Sequence, residues 1–266
     1  MTIRALIVAA LSVVAFDTAS AADIQPHRAV YGLTLKSVSA GNTLTDVKGA
    51  MYIDWIETCE GWSSSQRLEI RFFDSRRPEV DIDSKFASWE SRDGLSYRFN
   101  VVSLRDGVPE KELRGHASFP AVGQAGKAEF TGTVEREFKL TPGTIFPGQH
   151  MLELLDTAAA GGKILSRTVF DGTSEDGPFD INAVIGPLKT PKEKDPVLPP
   201  GLDKPYYPMR LAFFNLGKED VEPFYELSVN VMANGISRSF LLDYGDSVIA
   251  AKLERIELAE RPACKP

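Results

Sequence analysis

The chain has 266 residues, with 30 Lys and Arg against 37 Asp and Glu, a formal net charge of −7 and a pI near 5.2. That balance argues against a nucleic-acid partner, which normally meets a basic face, and more weakly against electrostatic attachment to anionic membranes. Apolar residues make up 43% and charged residues 25%, the proportions of a folded globular protein, so disorder is expected only in loops.

The first 22 residues have the three parts of an export signal. Arg4 supplies the positive start, Ala5 to Phe16 an apolar run, and Ala19-Ser20-Ala21-Ala22 the small residues of a cleavage site. Cleavage is expected after Ala21 or Ala22. The apolar run is shorter than the roughly 20 residues needed to span a bilayer, and no later stretch is long and apolar enough, so no transmembrane anchor is expected. The form of the signal points to a bacterial periplasm.

Period-2 alternation then dominates, putting apolar side chains on one face of successive strands. The first set is Ala29, Tyr31, Leu33 and Leu35; the second is Val47, Gly49, Met51, Ile53 and Trp55. A third runs through Trp62, Ser64, Gln66, Leu68, Ile70 and Phe72, and a fourth through Leu95, Tyr97, Phe99 and Val101. Turns are predicted at Ala40-Gly41-Asn42, Arg92-Asp93-Gly94 and Arg105-Asp106-Gly107, because Asp-Gly favours a tight hairpin. The result is an antiparallel meander.

One helix is predicted over Gly148 to Ala160, with Pro147 at its start and Gly161-Gly162 at its end. Met151, Leu154, Leu155, Ala158 and Ala159 would form its buried face. In a β-rich chain, a lone amphipathic helix suits a plug inside a curled sheet. Strands resume at Lys163 to Phe170 and Phe179 to Ile185. Residues 188–205 carry Pro191, Pro196, Pro199, Pro200 and Pro205 among charges, and read as a surface loop or linker. Further strands are expected from Met209, Phe224, Ser237 and Val248, the last reaching Leu258.

Only two cysteines occur, Cys59 and Cys264. In an oxidising compartment an even pair points to an intramolecular disulfide; two buried thiols or a bridge to another chain are the alternatives. A bridge would join both sides of the proline-rich segment, so residues 23–266 are read as a single domain. The absence of Cys-x-x-Cys argues against redox chemistry. His27, His116 and His150 lack zinc-ligand spacing. His150 is read as a residue of the helix start bonded to a nearby carbonyl. Gly245-Asp246-Ser247 matches a lipid-esterase nucleophile segment only in letters and is read as a turn between strands. Trp55, Trp62 and Trp89 are read as core or sheet-packing residues. No phosphate loop, dinucleotide fingerprint or Gly-x-Ser-x-Gly is present. No catalytic residue, metal or cofactor is therefore expected.

Several segments in order carry a family resemblance. They are His27-Arg28-Ala29-Val30-Tyr31-Gly32-Leu33, Gly49-x-Met51, Cys59-Glu60-Gly61-Trp62, Pro142-Gly143-Thr144-x-Phe146-Pro147-x-x-His150, Leu241-Leu242-Asp243-Tyr244-Gly245-Asp246, and the C-terminal cysteine. Together they resemble the envelope integrity protein B family, periplasmic proteins of alphaproteobacteria first described as a domain of unknown function. The resemblance implies an all-β fold, an antiparallel β-spiral or open curled barrel with one central helix. It also implies a disulfide between Cys59 and Cys264 and a non-enzymatic role in maintaining the cell envelope. The expected partner is a periplasmic protein or an envelope component. A lipid or lipoprotein carrier, with an apolar ligand inside the sheet, is the alternative; an envelope-polymer hydrolase using carboxylates or His150 is a weaker one.

Overall fold

A computed structural model describes residues 22–133, 135–217 and 222–264. The predicted export signal therefore lies outside the described residues, apart from Ala22. The first eight strands are β1 (His27–Val38), β2 (Leu44–Glu57), β3 (Gly61–Asp74), β4 (Val80–Ser91), β5 (Ser96–Arg105), β6 (Val108–Ser118), β7 (Gly126–Thr131) and β8 (Arg136–Leu140). The helix α1 (Pro147–Ala159) follows, then β9 (Ile164–Val169), β10 (Phe179–Ile185), β11 (Tyr206–Asn215), β12 (Tyr225–Met232), β13 (Ser237–Asp243) and β14 (Ser247–Leu258). All fourteen strands form one sheet, ordered β8-β7-β6-β5-β4-β3-β2-β1-β14-β13-β12-β11-β10-β9. Every ladder is antiparallel, and β8 and β9 are its two ends, so the sheet curls without closing. The expected all-β spiral with one helix is the fold observed.

The turns behave as their residues require. Asp106 and Gly107 both take positive φ, 53° and 76°, in the β5–β6 hairpin. β11 begins earlier than its hydrophobic pattern suggests and contains Pro208, which lies opposite Asn230 of β12. On the other flank β10 has already ended at Ile185, so the missing N–H interrupts no ladder bond there. Four strands, β4, β6, β7 and β8, lie where the alternation reading places none.

Because the strands alternate in direction, their turns gather at two rims. One rim holds the β2–β3, β4–β5 and β12–β13 turns, tied by bonds such as Gln25 N to Asn234 O and Arg92 N to Glu60 O. It also carries Cys59–Cys264, a disulfide with Cα atoms 5.4 Å apart. The opposite rim holds the β1–β2, β3–β4, β5–β6 and β13–β14 turns, joined by Ser39 N to Asp246 O and Ser75 N to Thr43 O.

Three apolar clusters fill the curl. The first packs Leu154, Leu155 and Ala158 of α1 against the inner faces of β9 to β12 and against Trp62. The second joins β1, β2, β13 and β14 through Tyr31, Leu33, Val47 and Ile249. The third is aromatic, with Tyr97, Phe99, Phe119, Phe130, Phe146 and Phe170. The helix starts one residue earlier than expected, and Ala159 is exposed, not buried, while Gly148 and His150 are buried. The first turn of α1 is pressed into the protein, and in the last turn Ala158 alone faces inward.

The proline-rich segment connects two neighbouring strands of the same sheet, β10 and β11. It is more than a surface loop: Leu198 is buried against the second cluster, with Val197 and Leu202 beside it. Arg238 of β13 pins it by bonding Asp203 at 2.5 Å and Asp195 at 3.3 Å while stacking on Tyr206. The segment is a strap over the disulfide rim.

Candidate functional site

The inner face of the sheet is not filled evenly. Leu68, Ile70 and Phe72 of β3, Val80 and Ile82 of β4, and Leu242 and Ile249 of β13 and β14 face a cavity of about 470 Å³ at the rim opposite the disulfide. That volume lies within the range of roughly 300–1,000 Å³ typical of small-ligand sites. Four of the charged side chains at its mouth pair with one another, and Asp246 accepts the Ser247 hydroxyl. Arg77 bonds Asp74 at 2.8 Å and Arg105 bonds Glu110 at 2.7 Å. The Thr43 hydroxyl, the Arg76 amide and the Arg77 guanidinium hold the Asp74 carboxyl well below the usual carboxylate range. A wall of aliphatic and aromatic side chains, with two ion pairs at its lip, suits an apolar guest.

Aromatic rings extend this wall. Tyr244, on the β13–β14 turn, stands 5.2 Å from the Tyr225 ring, which stands 5.1 Å from Phe213. Tyr225, Phe213, Phe179 and Phe224 line a second cavity of about 550 Å³. Tyr244 and Phe224 are each 51% exposed, a cost an apolar ring ordinarily avoids. The two cavities and the ring chain between them form one trough along this rim.

Above the trough the inner face becomes mixed. Gln66 lies opposite Phe86, Leu68 opposite Ser84, and Ser64 opposite Ser88, all half-buried. This row climbs to Glu90, which is only 5% exposed. Its two carboxylate oxygens accept the Gly148 and Gln149 amides at 2.7 and 2.8 Å. Glu90 therefore caps α1 from a distant strand, meeting two of the helix's otherwise unpaired N–H groups. Burial outweighs these two bonds and pushes the Glu90 carboxyl up to about 7. No local pattern in the sequence announces it, because its partners lie 58 and 59 positions away.

A test follows from the sign of that shift. A carboxyl raised in the folded state contributes stability that is complete below its unfolded value of 4.5 and is lost as pH rises through about 7. Relative to Glu90→Gln, the wild type is therefore expected to lose on the order of 2–3 kcal/mol between pH 5 and pH 8. Chemical unfolding at the two pH values measures it; parallel pH profiles for the two proteins would refute a titrating Glu90.

The structure scatters the other singled-out residues. Cys59 and Cys264 are joined. His27 Nδ1 lies 2.7 Å from the Gln25 carbonyl, and His116 lies beside Glu129 on β6 and β7. His150 is buried in the first turn of α1, but its Nε2 has no partner, contrary to the expected carbonyl bond. Burial first, then Arg167, lowers its imidazole to about 4. Gly245-Asp246-Ser247 is the expected turn, with Gly245 N bonded to Asp243 Oδ1. Ser247 Oγ donates to Asp246, so this pair forms part of the trough lip. Trp55 and Trp62 pack together inside, while Trp89 lies under Arg98 on the outer face. Among the described residues, no group of three or more His, Cys, Asp or Glu is placed to hold a metal ion.

Comparison with known proteins agrees with this architecture. A family model described as EipB-like matches residues 18–260. The chain is 29% identical over 249 residues to the cell envelope integrity protein EipB of Brucella abortus (strain 2308), covering 92% of this chain and 88% of that one. It superposes with a TM-score of 0.84 and 26% identity on the crystal structure of a beta-barrel-like protein, of the domain of unknown function DUF1849, from Brucella abortus. That match covers 90% of this chain and 100% of the other.

Proposed function

Because the chain belongs to the EipB-like family, we propose that it maintains the integrity of the cell envelope from the periplasm, by holding the apolar part of a partner protein or envelope component in the rim trough. The trough itself carries the proposal. It couples an aliphatic cavity of about 470 Å³ to an aromatic one through Tyr244 and Tyr225. Binding is what such a wall supports: it buries apolar surface, and the one hydroxyl–carboxylate contact at its lip, Ser247 on Asp246, joins neighbouring residues of a turn. Among the described residues, no helix is long and apolar enough to cross a membrane, which fits action from the aqueous side of the envelope.

The same lining favours a second reading, a carrier for a lipid or a lipid-bearing protein. An acyl chain has no polar atoms to satisfy and suits a wall built from Leu68, Ile70, Phe72 and Ile249.

Two lip positions, the half-buried Phe72 and the exposed Tyr244, give the test. Phe72→Glu, at the edge of the second apolar cluster, and Tyr244→Glu each place a charge in the trough. In a strain lacking the gene, wild-type protein is expected to restore resistance to detergent and cell-wall antibiotics. Each variant, present at normal level with a near-normal melting temperature, is expected to fail. Full complementation by both would remove the trough from the function. A lipid found by native mass spectrometry on protein taken from its own periplasm would select the carrier.

A further inference from the structure

The first described residue does something unusual: the Ala22 backbone nitrogen donates to Asp156 Oδ1 of α1 at 2.7 Å, across 134 positions of sequence. The residues that follow are all held. Ile24 is buried in the helix cluster, and Ala22 packs against it. Asp23 pairs with Arg261, Gln25 N donates to Asn234 O, and the Pro26 carbonyl accepts Ala259 N. The backbone at position 22 is thus fixed against the side of the helix.

Asp156 is a carboxylate in the last turn of α1, where the helix presents its unpaired carbonyls and the negative end of its dipole. The last turn contains no basic residue. A carboxylate there is electrostatically misplaced unless a cation comes to it. In the uncleaved chain Ala22 offers only a neutral peptide N–H.

We propose that the Ala21–Ala22 peptide bond is the processing site, and that the amino group released there is the cation that pairs with Asp156. The inference rests on the export reading and is independent of the trough. A leader-removing peptidase hydrolyses the bond with one water. A carboxylate is left on Ala21 and an α-ammonium on Ala22, which is mostly protonated at pH 7. Ala19 and Ala21 then occupy the two small-residue positions of the site. Cleavage one bond later would discard Ala22 and leave the new amino group on Asp23, whose carboxylate is already committed to Arg261. Removal of the leader thereby does more than release the protein: it installs the charge that fastens the N-terminus to the interior helix, so the precursor is the less stable form.

Two measurements decide this. Intact mass of protein exported with its own leader is expected to match residues 22–266; a mass matching 23–266 overturns the assignment. Melting temperatures are then compared for the wild type and Asp156→Asn, in the form starting at Ala22 and in a form carrying Gly-Ser ahead of it. The side-chain amide of the Asp156→Asn variant can still accept the neutral N–H, so the comparison isolates charge. Asp156→Asn is expected to lower the midpoint by about 2–4 °C more in the Ala22 form than in the extended one. Equal losses overturn the ion pair. The Gly-Ser extension on its own, with the helix untouched, is expected to lower the midpoint in the same direction, and no change on extension counts against the pair.

Discussion

Replacing both cysteines, Cys59→Ser with Cys264→Ser, is expected to lower the melting temperature by roughly 5–15 °C while leaving the β-sheet spectrum intact. The bridge spans a sequence separation of 205. In the loop-entropy view such a closure removes up to about 5 kcal/mol of unfolded-state freedom, and losses of about 2–5 kcal/mol are usual when a native bridge is removed. The folded state offers little to replace it. Beyond β14 the described tail residues, 259–264, form no strand. The tail is otherwise held by Ala259 N on the Pro26 carbonyl and by Arg261, which bonds Asp23 at 2.6 Å and Glu57 at 2.6 Å. These are half-exposed ion pairs of small individual worth. Thermal and urea unfolding of the double variant, under conditions where the wild type stays oxidised, measures the difference. A midpoint within a degree or two of wild type would mean that the Arg261 clasp, and not the sulfur bridge, carries the tail.

Phe146→Ala is expected to cost about 3–5 kcal/mol, the loss typical of a fully buried aromatic truncated to a methyl group. Phe146 is completely buried. Its ring stacks 4.8 Å from Tyr97 and lies 5.1 Å from Phe119, so it belongs to the aromatic cluster of β5 to β8. It is also the residue that begins α1, its carbonyl accepting the His150 amide at 2.9 Å. One side chain thus fixes the helix start to one wing of the sheet while the helix body packs on the other. Phe146→Leu, which keeps most of the volume, is expected to cost only about 1–2 kcal/mol. Denaturant unfolding of the two variants separates the cases. Equal, small losses would show that the neighbouring rings collapse into the space and that the junction is not specifically packed.

How much of this was legible in the sequence depends on what each strand faces. β1 and β2 line a dry cluster, so Tyr31 and Leu33, or Val47 and Met51, alternate cleanly with wetter neighbours. The inner face of β4 is Ile82, Ser84, Phe86, Ser88 and Glu90. Serines sit there because the trough and the groove above it are partly solvated. The hydrophobic contrast that reveals a strand is therefore erased at the places nearest the candidate site. β6 is lost for a different reason: Val108 to Glu112 are exposed and mostly polar or charged. Hairpin turns were readable because Asp106-Gly107 states its own backbone geometry. Glu90 at the helix start and Asp156 beneath the N-terminus were not, because each partner lies in a distant part of the chain. The Cys59–Cys264 pairing was legible only because two cysteines leave a single intramolecular combination.

The sheet order also sets a schedule. From β1 to β8 each strand pairs with its immediate predecessor, and the same holds from β9 to β14. The one seam between distant segments is β1 against β14, the first strand synthesised against the last. In a chain that enters the periplasm N-terminus first, β1 gains its second neighbour only when β14, the last strand, has followed. Until then one flank of β1 is a bare strand edge, able to template pairing with another chain. Cys264 follows β14, so the covalent staple cannot be set until the seam's last strand has arrived. An incomplete chain, stalled or truncated before β14, is left as two separate rows of hairpins with β1 unpaired on one side, and that edge needs cover until β14 arrives.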